Sequence, residues 1–284
     1  MVSSVVLITG CSSGIGRALC WAFQRQGDRV VATARQVEQL EELRAAGMTV
    51  MALDVNDQRA VESVVRAVLA TEGRIDVLVN NAGFGQFGPS IDIGIDQLQQ
   101  QFQTNVFAPL AIAQQVAPSM KAQGAGLIIN IGSISGVVTT PFSGAYCASK
   151  AALHSLSEAM RMELAPFNIQ VVTVQPGAIA SNFGTSAESS LDGVIRSSSW
   201  YANLESVIRA RANLSQAAAT PSDEFATELV AQVTKPNPPG VIRLGKKSLW
   251  LPWLKRVLPN RLMEFVLRRK FGLGAASSDL PTTP

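Results

Sequence analysis

Tyr146 and Lys150 stand four residues apart in Ser143-Gly144-Ala145-Tyr146-Cys147-Ala148-Ser149-Lys150, so on a helix a phenol and an ammonium share one face. A free tyrosine titrates near ~10 and exchanges protons poorly at neutral pH. A cation within about 4 to 6 Å favours the phenolate and is expected to bring the phenol towards the working range. Such a pair can pass a proton to or from a carbonyl or alcohol oxygen. The spacing also occurs on ordinary helices, so its weight depends on what accompanies it. His154, the one histidine of the chain, lies two turns beyond Tyr146 and reads as a surface or interface residue rather than a base. Met160 and Met162 read as packing.

The elements that must hold this pair begin at the N-terminus. Ser4 to Thr9 is a short, β-branched apolar run that reads as a buried parallel strand. Gly10-Cys11-Ser12-Ser13-Gly14-Ile15-Gly16 follows, before a helical pattern beginning near Arg17. Strand, glycine turn and helix together make a nucleotide site: the backbone can approach a pyrophosphate, which then meets free N–H groups at the helix start. The Gly-x-x-x-Gly-x-Gly spacing differs from the commoner Gly-x-Gly-x-x-Gly dinucleotide loop.

Further apolar runs at Arg29 to Ala34, Thr49 to Leu53, Val77 to Asn80, Leu127 to Ile131, Gln170 to Gln175 and Val241 to Leu244 alternate with helical segments. That alternation predicts an α/β fold: one Rossmann domain with a seven-stranded parallel sheet covered by helices on both faces. Cys11, Cys20 and Cys147 have no metal-ligand spacing and read as reduced cytosolic thiols, so no metal is expected. No charged leader precedes the first strand and no apolar run reaches the ~18 residues that span a bilayer, so a cytoplasmic protein is expected.

With Thr9 to Gly16, Asn80-Asn81-Ala82-Gly83 and Tyr146 to Lys150 in place, the chain resembles the classical short-chain dehydrogenase/reductase family from Val5 to about Gly245. Further elements fall in order: Asp54 after the third strand, Asn105 in a long helix, Ser133 thirteen positions before Tyr146, and Pro176-Gly177. Two positions depart from the family pattern. Gly132 replaces the commoner serine before Ser133, a change expected to be harmless, and Ser181 stands where a threonine usually holds the nicotinamide carboxamide. The resemblance implies a catalytic set of Asn105, Ser133, Tyr146 and Lys150. Tyr146 would exchange the proton, Ser133 would hydrogen-bond the reacting oxygen, Lys150 would hold the nicotinamide ribose, and Asn105 would fix a helix and a proton-relaying water. It also implies a cofactor site from Gly10, Ser12, Ser13, Gly14, Ile15 and Gly16, with Asp54 and Val55 at the adenine. Asn80, Asn81, Ala82 and Gly83 would flank the ribose, with Pro176, Gly177, Ile179 and Ser181 at the nicotinamide.

The second strand ends Ala34-Arg35. NAD enzymes of this fold carry an acid there that binds the ribose hydroxyls and repels a 2′-phosphate. Ala34 lacks it and Arg35 offers a planar phosphate fork, so NADP(H) is the expected cofactor; Asp28 precedes the strand on the wrong side. Phe84, Phe87, Phe142, Trp200 and Tyr201 are candidates for an apolar substrate wall, and residues 182–216 read as a lid.

Net charge is +3, yet Arg243 to Lys270 holds nine Lys/Arg and only Glu264, giving +8 there and −5 elsewhere. Tryptophans and leucines interleave with those cations between Pro252 and Pro259 and beyond. A basic amphipathic extension over 246–284 therefore follows a catalytic domain at 1–245, with a frayed end at 275–284. It either meets a membrane interface or an acidic ligand, or folds back over the cleft or a partner subunit. No nucleic-acid module accompanies the charge. The glycine loop, strand end and tail are similar to those of hydroxysteroid and retinol dehydrogenases and acyl-dihydroxyacetone-phosphate reductases, which implies an apolar carbonyl or alcohol substrate and a homodimer or homotetramer. A ketoreductase acting on acyl-carrier-protein thioesters and a non-catalytic NADP(H) sensor remain alternatives.

Overall fold

The computed structural model describes residues 3–214, 216 and 219–274; the end at 275–284 and part of the segment linking the lid to the next helix lie outside them. Seven strands form one parallel sheet in the order β3-β2-β1-β4-β5-β6-β7. They are β1 (Val5–Ile8), β2 (Arg29–Ala34), β3 (Thr49–Ala52), β4 (Val77–Asn80), β5 (Gly126–Ile131), β6 (Ile169–Val174) and β7 (Val241–Ile242). The chain reverses its direction of winding between β1 and β4, so the crevice beyond their C-terminal ends is where such a sheet takes a ligand.

The helices are α1 (Gly14–Arg25), α2 (Glu41–Ala45), α3 (Gln58–Glu72), α4 (Ile95–Phe102), α5 (Ala108–Gln123), α6 (Gly144–Leu164), α7 (Phe183–Ser189), α8 (Glu205–Asn213), α9 (Ser222–Val233), α10 (Trp250–Val257) and α11 (Asn260–Lys270). Strands buried on both faces need cover on both. Leu19 and Phe23 of α1 and Phe225, Leu229 and Val230 of α9 pack on one face. Val61, Val64 and Val68 of α3 and Ile112, Val116 and Met120 of α5 pack on the other. Terminal residues set where the helices stop. Asp57 caps α3 by accepting from Arg59 N at 2.9 Å and Ala60 N at 3.2 Å, and Gly73, at φ 74, ends it in the left-handed conformation.

Helix α1 begins at Gly14, three residues before Arg17, so the last two loop glycines form its first turn. The body of the fold also runs three residues past Gly245. Lys246 bridges Ala178, with Ala178 N donating to Lys246 O at 3.0 Å, and Ser248 is buried.

Candidate active site

Thr9, at the end of β1, holds the glycine loop against the end of β4. Its hydroxyl accepts from Asn81 N and Ala82 N, both at 3.0 Å. The Asn81 amide in turn donates to Thr9 O and Gly10 O, both at 2.9 Å. The loop leaves no room for a side chain at its three glycines. A Cβ on Gly10, whose φ is +72, would lie 2.8 Å from Ala82 Cα. On Gly14 it would lie 2.8 Å from Ser181 Cβ, and on Gly16 it would collide with Gly10 O. The close approach of loop, β4 end and Ser181 makes a continuous backbone cradle at a helix N-terminus, which suits a dinucleotide pyrophosphate.

One cavity of about 990 Å³ runs along the C-terminal ends of the strands. Gly10, Ser12, Ser13, Gly14, Ile15, Arg35, Asp54, Val55, Asn81, Ala82, Gly83, Pro176, Gly177, Ile179 and Ser181 all line it, as do Ser133, Tyr146 and Lys150. Gly16 and Asn105 stand just behind its wall. Asp28 is at the other end of β2, accepting from Ser4 N at 3.1 Å.

The Tyr146 phenol is buried; burial outweighs the lowering influence of Ser133 and pushes its pKa up to about 12. The expected depression by Lys150 is therefore reversed. Lys150 lies on the same helix face, its Nζ 5.9 Å from the tyrosine ring centroid, but it donates to Ile131 O at 2.8 Å. Its own burial brings it down to about 8. A low-dielectric site penalises the phenolate and the ammonium alike. At pH 7 Tyr146 accordingly keeps its proton, the state needed to donate it.

Asn105 is not in a regular helix. Gln103–Phe107 forms a π turn between α4 and α5, a local widening that often marks a functional position. It lets the Asn105 amide bond both backbone groups of Phe84: Nδ2 donates to Phe84 O at 2.9 Å and Oδ1 accepts from Phe84 N at 3.2 Å. Nδ2 also reaches Ser149 Oγ on α6 at 3.2 Å. Gly83 fits between Asn105 and Lys150, where a Cβ would lie 3.1 Å from Asn105 Oδ1 and 3.6 Å from Lys150 Nζ.

The sequence model of the family described as short chain dehydrogenase matches residues 4–192, which hold this entire cradle and the Ser133, Tyr146 and Lys150 group. The chain is a short-chain dehydrogenase/reductase. It is 34% identical over 271 residues to a short-chain dehydrogenase, virD, of Hypocrea virens, covering 94% of this chain and 92% of that one. It is also 34% identical to the uncharacterized oxidoreductase YbbO of Escherichia coli, covering 93% of each. A solved short-chain dehydrogenase from Streptomyces avermitilis superposes with a TM-score of 0.78 at 30% identity, covering 96% of this chain and 98% of that one.

Several side chains of this dehydrogenase lie elsewhere than expected. Asn80 turns into the sheet, its Nδ2 donating to Asn130 Oδ1 at 2.8 Å, so it does not reach the cavity; alternation along β4 leaves that to Asn81. His154 is half-buried rather than free on the surface. It wedges against Gly132 and Gly136, accepting from Ser133 N at 3.3 Å, and burial beside Lys150 and Arg243 lowers its pKa to about 4. The glycine at 132 is thus required here, because a Cβ would strike both the His154 ring and Val174 O. Met162 is 66% exposed, whereas Met160 is buried.

Among the aromatic candidates, Phe84 and Phe87 line the cavity. Phe142 sits one layer behind, with φ 63 and its ring against Tyr201 at 5.7 Å and Phe271 at 6.5 Å. Trp200 is 76% exposed and outside. The substrate wall also contains Phe183, Arg211 and Leu214, from the segment read as a lid, and Trp250, Leu251, Met263, Leu267 and Phe271, from the extension for which folding back over the cleft is one reading. The amphipathic spacing of Met263, Leu267 and Phe271 was the available signal.

Proposed function

We propose that this oxidoreductase interconverts a carbonyl and an alcohol on an apolar substrate with NADP(H), with Tyr146 as the acid/base. The observation that carries the reading is the buried Tyr146 beside Ser133 and Lys150 in the cavity that also contains the glycine cradle. A carbonyl oxygen placed at Tyr146 and Ser133 would meet two donors as negative charge develops on it. Lys150, a turn away, stands where it could contact ribose hydroxyls. Bound NADPH would supply the hydride. The residues present suit that cofactor: no acid directly follows β2, Arg35 lines the cavity, and the cradle admits only glycine at 10, 14 and 16. A solved serine dehydrogenase, 25% identical with a TM-score of 0.74, carries NADP+. A fold relative from Burkholderia phymatum carries NAD, so the choice between them rests on Ala34 and Arg35.

Helices α10 and α11 support an apolar substrate, since Leu251, Met263 and Leu267 face the cavity. Their outer faces expose Trp253, Phe265 and Val266 among Lys255, Arg256, Arg261, Arg268 and Arg269. We propose that this outer face rests on an anionic membrane interface, from which lipophilic substrate enters. Among the described residues no helix is long and apolar enough to cross a membrane. Exposed Phe107 and Met162, at the start of α5 and on α6, support a homodimer or homotetramer through that face.

The direct test is Tyr146→Phe. NADPH binding, followed by fluorescence, should persist while turnover falls about 10² to 10⁴-fold. Turnover within a few-fold of the parent enzyme would assign the acid elsewhere.

A further inference from the structure

Arg211, on α8, is 8% exposed and lines the cavity. It has no carboxylate partner among the described residues; its nearest neighbours are hydroxyls and rings. Nε and Nη2 donate to Thr140 Oγ1 at 3.1 and 2.7 Å, and Nη2 also donates to Ser143 Oγ at 3.2 Å. The guanidinium lies 5.3 Å from the Phe87 ring centroid and 5.9 Å from that of Phe271. Among the described residues Nη1 has no hydrogen-bond partner, and the side chain that carries it lines the cavity.

A buried cation without an anion is costly, because desolvation is not repaid by hydroxyls and ring faces alone. A plain wall residue for an apolar substrate would be leucine or methionine. The remaining charge of the cavity is one-sided as well. Arg35, Lys150, Lys247 and Lys270 line it with Arg211, against Asp54 at the adenosine end. Lys270 flanks Phe271, its Nζ 6.0 Å from that ring centroid, so a second cation stands near the ring that Arg211 approaches. Phe87 links the two ends of the site: its ring stacks on Tyr146 at 5.9 Å and receives Arg211.

We propose that Arg211 binds an anionic headgroup, a carboxylate or phosphate, on a substrate whose carbonyl or alcohol lies at Tyr146. The proposal rests on reading the cleft as the site of carbonyl and alcohol exchange. An arginine offers such oxyanions a planar set of donors, strongest where water is excluded. Phe87 and Phe271 would flank the apolar chain between the two ends.

The test has a binding arm that needs no turnover. Dodecanoate, dodecyl phosphate and dodecanol are titrated calorimetrically into the NADP+-loaded protein, its Arg211→Met and Arg211→Lys variants, and Tyr146→Phe. One or both anions should bind the parent at least tenfold tighter than dodecanol, and whichever wins names the headgroup. That preference should collapse in Arg211→Met, survive in part in Arg211→Lys, and persist in Tyr146→Phe. Equal binding of all three ligands to the parent, or a preference that survives Arg211→Met, overturns the proposal. In the kinetic arm, a medium-chain aldehyde is compared with its ω-carboxylate. The ratio of kcat/KM, acid over neutral, should fall about ten- to hundredfold in Arg211→Met, mainly through KM. Losses equal for both substrates would mark a structural role through Thr140 and Ser143 and sink the idea. Normal turnover in Tyr146→Phe would instead overturn the acid/base reading while the calorimetry still decides Arg211.

Discussion

In the proposed NADP(H) site, Ala34 and Arg35 would decide the cofactor by what one lacks and the other supplies. With an aspartate at 34 a 2′-phosphate would face like charge, and without Arg35 it would lose its planar partner. Ala34→Asp combined with Arg35→Ser should therefore turn a preference for NADPH into one for NADH. Each charge-assisted contact is worth roughly 1.5 to 3 kcal/mol, so the ratio of kcat/KM should move by one to two orders of magnitude. Steady-state kinetics with both cofactors measure it, and a parent enzyme that already favours NADH would refute the assignment. Tyr146 shows how far a pair can be judged from spacing. The shared helix face was readable, but the sign of the tyrosine shift was not, because burial dominates the shift of each group.

At the scale of elements, α6 does more than present Tyr146 and Lys150. Its next turn carries His154 into the loop after β5, where the ring accepts the Ser133 N–H and so helps hold the serine that faces Tyr146. Folded His154 titrates near 4, below its ordinary 6.5. A depressed histidine binds more protons unfolded than folded between those values, so its contribution is complete above about 6.5 and is lost as pH falls towards 4. The shift corresponds to roughly 3 kcal/mol. Thermal melts between pH 7 and 4.5 should show this loss, and His154→Gln, which keeps an acceptor, should flatten that part of the profile. Parallel profiles would mean that the ring is already solvated. Strand periods were legible because β-branched runs buried on both faces carry their own signal; all seven strands fall within about two residues of the sequence reading. The neighbours of a side chain leave no such trace. Nothing in local spacing distinguishes His154 packed on Gly132 from a solvated one, or Asn80 turned inward from Asn81 turned outward. The π turn at Asn105 likewise depends on contacts with Phe84, twenty-one residues away in the chain.

Across the whole molecule, the +8 stretch has two faces with different surroundings. The inner one, Leu251, Met263, Leu267 and Phe271, closes the cavity, and the outer one mixes tryptophan with arginine. Truncation after Ser248, which keeps the bridge to Ala178, should weaken long apolar substrates far more than a small ketone. Loss of roughly 100 Å² of shared apolar area, at about 25 cal/mol per Å², amounts to ~2.5 kcal/mol in KM. The intact protein, unlike the truncated one, should also bind anionic vesicles in a salt-sensitive manner. Equal kinetic losses for both substrates together with a lower Tm would leave the tail as plain packing.

The segment matched by the family, residues 4–192, contains the cradle, Ser133, Tyr146 and Lys150, whereas Arg211, Leu214 and all the tail residues of the wall come later. The reactive group thus lies in one stretch of chain, and the substrate wall apart from such residues as Phe84, Phe87 and Phe183 lies in the next. A single crossover near Ser190 between two such sequences would exchange most of the substrate wall in one event and leave hydride chemistry with the recipient. New specificities can then arise by recombination, without passing through an inactive intermediate.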